Sequence, residues 1–254
     1  MVAYRCAASA NNDEQWVAIA RVDDLMRRIL HETNAYDYQA FLTGSGNFRY
    51  TIDPQYKANR KDTERPKWLE ACREHLVVTW KASVSEGCEA DDLIATEATK
   101  MQDSCIMASI DKDFLQIPGI HYNFVKNEFK TVSPREGLLN FYWQMVMGDK
   151  ADNVFGYDGV ARVKPPKFLE PLYEEMQACE TEEELFQIVF SKYEDASRFL
   201  TNGACLWLKR TEEDNWIAHG KTIMAELGLM PASTASSPPP SGVEVDAGHQ
   251  NSPA

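Results

Sequence analysis

Long apolar runs, paired cysteines and an excess of basic charge are all missing from this sequence of 254 residues. Nowhere do ~18 apolar residues follow one another, the length that a membrane-spanning helix needs. The opening MVAYRCAASA lacks the apolar stretch that a secretory leader carries. These absences lead us to expect a soluble, cytoplasmic chain with no membrane contact. Six cysteines (Cys6, Cys72, Cys88, Cys105, Cys179, Cys205) form no C-x-x-C pair and have no histidine at zinc-ligand spacing. That scatter excludes a zinc knuckle or disulfide framework and predicts reduced thiols in the core. Lysine and arginine number 26 against 39 acids, a net charge of -13, so the chain as a whole does not attract polyanions.

The basic residues it does have are segregated. NFRYTIDPQYKANRKDTERPKW (47–68) holds Arg49, Lys57, Arg60, Lys61, Arg65 and Lys67 against Asp53, Asp62 and Glu64, with Phe48, Tyr50, Tyr56 and Trp68 interleaved. A second basic run, ARVKPPK, spans 161–167, whereas EPLYEEMQACETEEEL (170–185) is strongly acidic. A polarised protein of this kind can meet a polyanion with one face.

Apolar residues recur every three or four positions in WVAIARVDDLMRRILHETN (16–34), which predicts an amphipathic helix. Asp23 and Asp24 within it need no more than pairing with Arg27 and Arg28. YQAFLTG (38–44) predicts a strand entering the turn GSG, PKWLEACREH (66–75) a helix with proline in its first turn, and LVVTW (76–80) a short apolar strand. A helix over 89–101, strands at 104–110 and 120–125, and a helix at 134–148 stopped by Gly148 continue the alternation. The pattern implies an α/β fold with a mainly parallel central sheet flanked by helices. From 166 onward it is helical, and 231–254 has the Pro, Ser and Ala composition of a disordered tail. The expected organisation is an α/β core over 1–147, a helical region over 148–230 and the tail.

Three acidic groups fall where such a sheet places a ligand, beyond the carboxyl ends of its strands. Glu89, Asp91 and Asp92 open a helix, Asp111 and Asp113 follow the strand ending at Ile110, and Asp149 and Asp152 follow the helix ending at Gly148. Each group alone has an ordinary explanation, since acids complement a helix N-terminus and aspartate forms turns. Together they would repel one another unless cations lay between them, and hard divalent ions such as Mg²⁺ or Mn²⁺ prefer such oxygen ligands.

EADD (89–92), SIDKDF (109–114) and GDKADNVFG (148–156), preceded by FRYTIDPQYKANRK (48–61), resemble the structure-specific 5′-nuclease family. That family comprises flap endonucleases, the 5′-nuclease domain of bacterial DNA polymerase I and phage 5′-to-3′ exonucleases, to which the look is closest. The resemblance implies a PIN-like 5′-nuclease core, a helical arch at 47–68 and a C-terminal helix-three-turn-helix. It also implies two-metal hydrolysis of DNA. On the matching positions, Glu89, Asp91, Asp92, Asp111 and Asp113 would hold the first ion or its waters, and Asp149 and Asp152 the second. Lys57 and Arg60, in the pattern Y-K-x-N-R, would act catalytically by neutralising the scissile phosphate. Arg49, Tyr56 and Lys61 are the DNA contacts expected from the arch, with Tyr56 either packing under it or stacking on a base. Gly156, Gly159, Lys164 and Lys167 are those expected from the helix-three-turn-helix, together with a monovalent cation such as K⁺.

The chain departs from the family in two places. Relatives open with an apolar strand ending in an aspartate signature, then a helix containing Y-R. Here Tyr4-Arg5 is present without that strand, and FLTGSGNFR offers Thr43, Gly44 and Ser45 where most relatives carry an aspartate. We therefore expect a coding start placed too far downstream, or a truncated chain, and with it impairment in catalysis and stability. The expected function is a Mg²⁺-dependent 5′-to-3′ exonuclease or flap endonuclease, monomeric, acting on duplex DNA with a 5′ end or flap. The alternatives are a non-catalytic DNA-binding relative and a metal-dependent ribonuclease on a similar sheet.

Overall fold

A computed structural model describes residues 1–61 and 63–229; the tail expected at 231–254 lies outside the described residues. The chain runs α1 (Val2–Ser9), α2 (Gln15–Glu32), β1 (Phe41–Ser45), α3 (Arg49–Ile52), α4 (Leu69–Val78), β2 (Ser83–Glu86), α5 (Ala90–Met101), β3 (Ile106–Ala108), β4 (Gly119–Asn123), β5 (Glu128–Val132) and α6 (Pro134–Met147). A hairpin of β6 (Gly148–Asp149) and β7 (Val154–Phe155) follows, then α7 (Glu170–Ala178), α8 (Glu182–Phe190), α9 (Ala196–Leu206) and α10 (Trp216–Glu226). Among the described residues no helix is long and apolar enough to cross a membrane.

The fold is α/β with a mainly parallel arrangement at its centre. β1 pairs in parallel with β2, β3 in parallel with β4, and β5 returns antiparallel on β4. Gly44 permits the first pairing, because a Cβ there would fall 2.1 Å from the Ser85 carbonyl oxygen. β1 and β3 are not hydrogen-bonded to each other, and α5 packs across both.

The strand expected at 76–80 is replaced by the last turn of α4 and the bend after it. Cys72 and Leu76, four residues apart, are both buried, so helical periodicity outweighs the β propensity of Val77 and Val78, which face solvent. The actual strand is SVSE, with Ser85 buried and Val84 exposed, a pattern that offers no apolar face to read. β5 escaped expectation for a similar reason, since only Val132 of its five residues is buried.

Two large apolar clusters hold these elements. The first joins Ala3, Cys6 and Ala7 of α1 to Val22 and Met26 of α2, Cys72 and Leu76 of α4, Leu42, Tyr122 and Phe124. Small residues on α1 let it lie close to α2 and α4. The second joins Phe141, Tyr142 and Met145 of α6 to Phe186, Phe199, Trp207 and Trp216, and it includes Tyr56. Phe141 meets Trp207 and Trp216 edge-on, each at 4.7 Å between centroids. Residue 147, expected as a domain boundary, thus lies inside a shared core. All six cysteines are unpaired thiols, and Cys6, Cys72, Cys179 and Cys205 are buried.

Near this second cluster Glu182 accepts a bond from Tyr142 at 3.0 Å and bonds His219 Nε2 at 2.9 Å, which ties α6, α8 and α10 together. The bond to Glu182 holds the imidazole pKa above its ordinary 6.5 despite burial. A raised folded pKa gives stability that is complete below the unfolded value and lost as pH rises through the folded one. The thermal midpoint is therefore expected to fall as pH rises above the ordinary imidazole value of 6.5, with a shallower fall in His219→Gln; melting curves at increasing pH check it.

Candidate active site

The start of α5, the end of β3 and the loop after α6 bring their acids to one region. Burial, then the charges of Asp111 and Glu89, push the Asp91 carboxyl up to about 6, with Lys57 opposing them. Asp113 is likewise raised, by burial, Asp111 and Asp149. Gln144 of α6 donates to it at 2.5 Å. Asp111 Oδ1 accepts the Asp113 N–H at 3.1 Å, which shapes the turn that presents both. Asp149, 2% exposed, accepts from the Ala151 and Asp152 amides at 2.7 and 3.1 Å and so folds the loop that carries Asp152. Burial raises Asp152, while Lys57, Tyr56 and Arg60 counter it.

Cations from two directions meet these acids. Lys57 Nζ bonds Glu89 and lies 3.6 Å from Asp152, and Arg60 reaches Asp152 at 2.6 Å. The Lys57 amide also donates to the Asp152 carbonyl at 2.8 Å, and Arg60 Nε to the Ala151 carbonyl at 2.9 Å. Opposite them Lys112 pairs with Asp149 at 2.9 Å, a bond that raises its pKa against burial. Lys112 was not among the expected site residues. Its signal was available, because a residue between Asp111 and Asp113 shares their turn.

The roles expected of Asp92 and Arg49 change. Asp92, 1% exposed, takes Arg49 in a two-pronged pair at 2.7 and 2.8 Å and also accepts the Glu89 and Lys209 amides. Its oxygens are committed, so it is a structural partner and not a ligand for an ion. Arg49, also 1% exposed, donates further to the Cys205 and Trp207 carbonyls at 2.9 and 2.6 Å. Such a side chain cannot touch DNA. Tyr56 packs inward, with its ring buried and its hydroxyl against Asp152 and Glu89 at 2.8 and 3.1 Å.

The remaining expected contacts divide by exposure. Lys61, Lys164, Lys167 and Gly159 lie on the surface, Gly159 in left-handed backbone (φ 78°) with open space around it. Gly156 is buried, where a Cβ would fall 2.2 Å from the Val146 carbonyl oxygen, and its own carbonyl accepts from Arg198 at 2.6 Å. It therefore serves chain packing rather than a ligand.

Among the described residues no group of three or more His, Cys, Asp or Glu side chains stands ready in a ligating arrangement. The chemistry of Glu89, Asp91, Asp111, Asp113, Asp149 and Asp152 nevertheless fits hard divalent cations. Their donors are all carboxylate oxygens, they repel one another, and Lys57, Arg60 and Lys112 already stand where positive charge is needed. Those three side chains would have to swing aside for an ion to enter.

Comparison with known proteins gives this geometry its family. The family model described as 5′-3′ exonuclease, N-terminal resolvase-like domain, matches residues 3–141. A flap endonuclease Xni from Shewanella sp. (strain W3-18-1) is 31% identical over 137 residues, covering 50% of this chain and 52% of that protein. A 5′-3′ exonuclease of Mycoplasmopsis pulmonis is 31% identical over 139 residues, covering 48% of this chain and 46% of its own. The chain thus spans about half the length of the curated relatives it matches. The T5 D15 protein, co-crystallised with metal ions, superposes with a TM-score of 0.53 at 16% identity over 83% of this chain and 87% of its own, a likeness of fold. With more than half of its residues inside the family match and that fold around its acids, the chain belongs to the 5′-3′ exonuclease family.

Proposed function

We propose that the chain is a divalent-metal-dependent 5′-to-3′ exonuclease or flap endonuclease that hydrolyses DNA phosphodiesters, as a monomer in the cytoplasm. The observation that carries the reading is the meeting of mutually repelling carboxylates from three separate elements, with Lys57 and Arg60 of the arch pressed against them. The names of the relatives, flap endonuclease and 5′-3′ exonuclease, point the same way. Glu89, Asp91, Asp111 and Asp113 would hold one Mg²⁺ or Mn²⁺ or its waters, and Asp149 and Asp152 a second. When bound, these ions would supply a hydroxide near neutral pH and charge stabilisation for the leaving oxygen. Lys57 and Arg60 would exchange Glu89 and Asp152 for the scissile phosphate and neutralise its developing charge. Exposed Lys61, Lys164, Lys167 and the Gly159 turn would contact the duplex backbone, reading shape rather than sequence. A K⁺ ion near that turn belongs to the same proposal. Because β1 and β3 are not laddered together, the reading carries an expectation of low turnover.

The test is cleavage of fluorescent 5′-flap and blunt duplex DNA, with RNA beside them, in Mg²⁺ and in EDTA, with Asp111→Ala as control. Cleavage of DNA that needs Mg²⁺ and is lost in the variant supports the reading. DNA binding without cleavage in either Mg²⁺ or Mn²⁺ sinks it and favours the second reading, a non-catalytic DNA-binding relative. One observation favours that rival: Glu89, Asp149 and Asp152 are each already neutralised by a lysine or arginine.

A further inference from the structure

Residues 55–60 lie along the loop after α6 through bonds that involve neutral groups as well as charges. Asn59 donates from Nδ2 to the Lys150 carbonyl at 2.8 Å, and Asn153 donates from Nδ2 back to the Gln55 carbonyl at 2.9 Å. The two carboxamides cross the seam in opposite directions and flank the bond from the Lys57 amide to the Asp152 carbonyl. Lys57 and Asn153, on either side of that bond, both hold left-handed backbone, with φ of 54° and 59°. Asparagine adopts this conformation readily, whereas lysine does so only where its surroundings impose it.

We infer that Asn59 and Asn153 are positioning residues, a reciprocal amide brace that seats Lys57 and Arg60 on the acidic loop and fixes where those cations stand. The inference rests on the nuclease reading and adds two residues to it. A neutral brace suits the task. The ion pairs Lys57–Glu89 and Arg60–Asp152 weaken with salt and must break when another cation claims the carboxylates. Amide-to-carbonyl bonds feel neither effect. They keep the two segments in register while Lys57 and Arg60 turn from acid to phosphate, which saves the search that a loose arch would require. Neither asparagine touches a reacting atom, so removing one should loosen the seam without abolishing substrate binding.

The experiment compares Asn59→Ala, Asn153→Gly and the double variant with the wild type; glycine at 153 preserves the left-handed backbone. In metal-free protein, exchange of the Lys57 amide is expected to quicken about tenfold in each variant. The thermal midpoint should stay within about 2 °C. On 5′-flap DNA in Mg²⁺, turnover is expected to fall about tenfold with KM changed less than about twofold, and the double variant to be little worse than either single one, as for groups that act as a unit. Wild-type exchange at Lys57 in both single variants would overturn the inference. So would faster exchange with turnover unchanged. A wild-type chain that cuts no DNA, with variants that still quicken Lys57 exchange, supports the brace and refutes the nuclease reading instead.

Discussion

Replacing Arg49 by methionine is expected to cost about 3–5 kcal/mol of stability, a large part of the total for a domain of this kind. The methionine side chain would leave Asp92, 1% exposed, without the guanidinium that pairs with it, and Glu89, 4.0 Å from Arg49, nearby. It would also strip a donor from each of the Cys205 and Trp207 carbonyls. Removing one member of a buried pair costs far more than the pair itself contributes, because the survivor loses solvent and partner together. The companion change tests that account. Arg49→Met combined with Asp92→Leu puts apolar groups on both sides and should recover part of the loss. Urea unfolding of the two single variants and the double one measures the coupling directly. A loss below about 1 kcal/mol in Arg49→Met would show that the pair is relaxed by water, contrary to its burial.

Lys57→Met is expected to reduce cleavage of 5′-flap DNA by about 10²–10³-fold, on the nuclease reading, with little change in DNA affinity. The amine is held among Glu89, Asp152 and the Tyr56 ring, 4.8 Å from the ring centroid, so it is placed before any substrate arrives. Once turned from these acids to the phosphate, the ammonium lies where negative charge develops, which is why one such group can carry a large share of a rate. Lys57→Arg should rescue only in part, because a planar guanidinium does not reproduce the compact ammonium charge in that space. Single-turnover rates at saturating DNA separate the effect from binding. If Lys57→Met cleaves as fast as the wild type, Lys57 serves only as a counter-ion for Glu89 and Asp152.

Much of this is legible in the sequence. The amphipathic repeat of α2, the acid-capped start of α5 and the proline-started α6 are local patterns, and local patterns survive into the structure. The convergence of three acidic groups also followed from topology, because strand ends in α/β sheets point to one side. What stayed hidden depended on pairings far apart along the chain. Arg49 looked like one more base in a basic stretch, yet its partners lie 43 residues away at Asp92 and 156 away at Cys205. Asp92 looked identical in kind to Asp91, and only the direction each faces from the first turn of α5 separates a buried partner from a raised carboxyl. The sequence places Gly156 among the expected DNA contacts, whereas the Val146 carbonyl oxygen claims the space beside it. β2 and β5 were illegible because neither carries an alternating apolar face.

The unlinked strands β1 and β3 also bear on how the site deforms. Glu89 caps α5, Asp91 lies in its first turn, and Asp111 hangs from the end of β3, so no continuous ladder of backbone bonds fixes their separation. That spacing is set by the packing of α5 against its strands, a softer spring than a shared ladder. The gap between the two halves of the acid cluster is therefore held by side-chain packing rather than by backbone bonds, and on the nuclease reading a cation bound between them would help to set it.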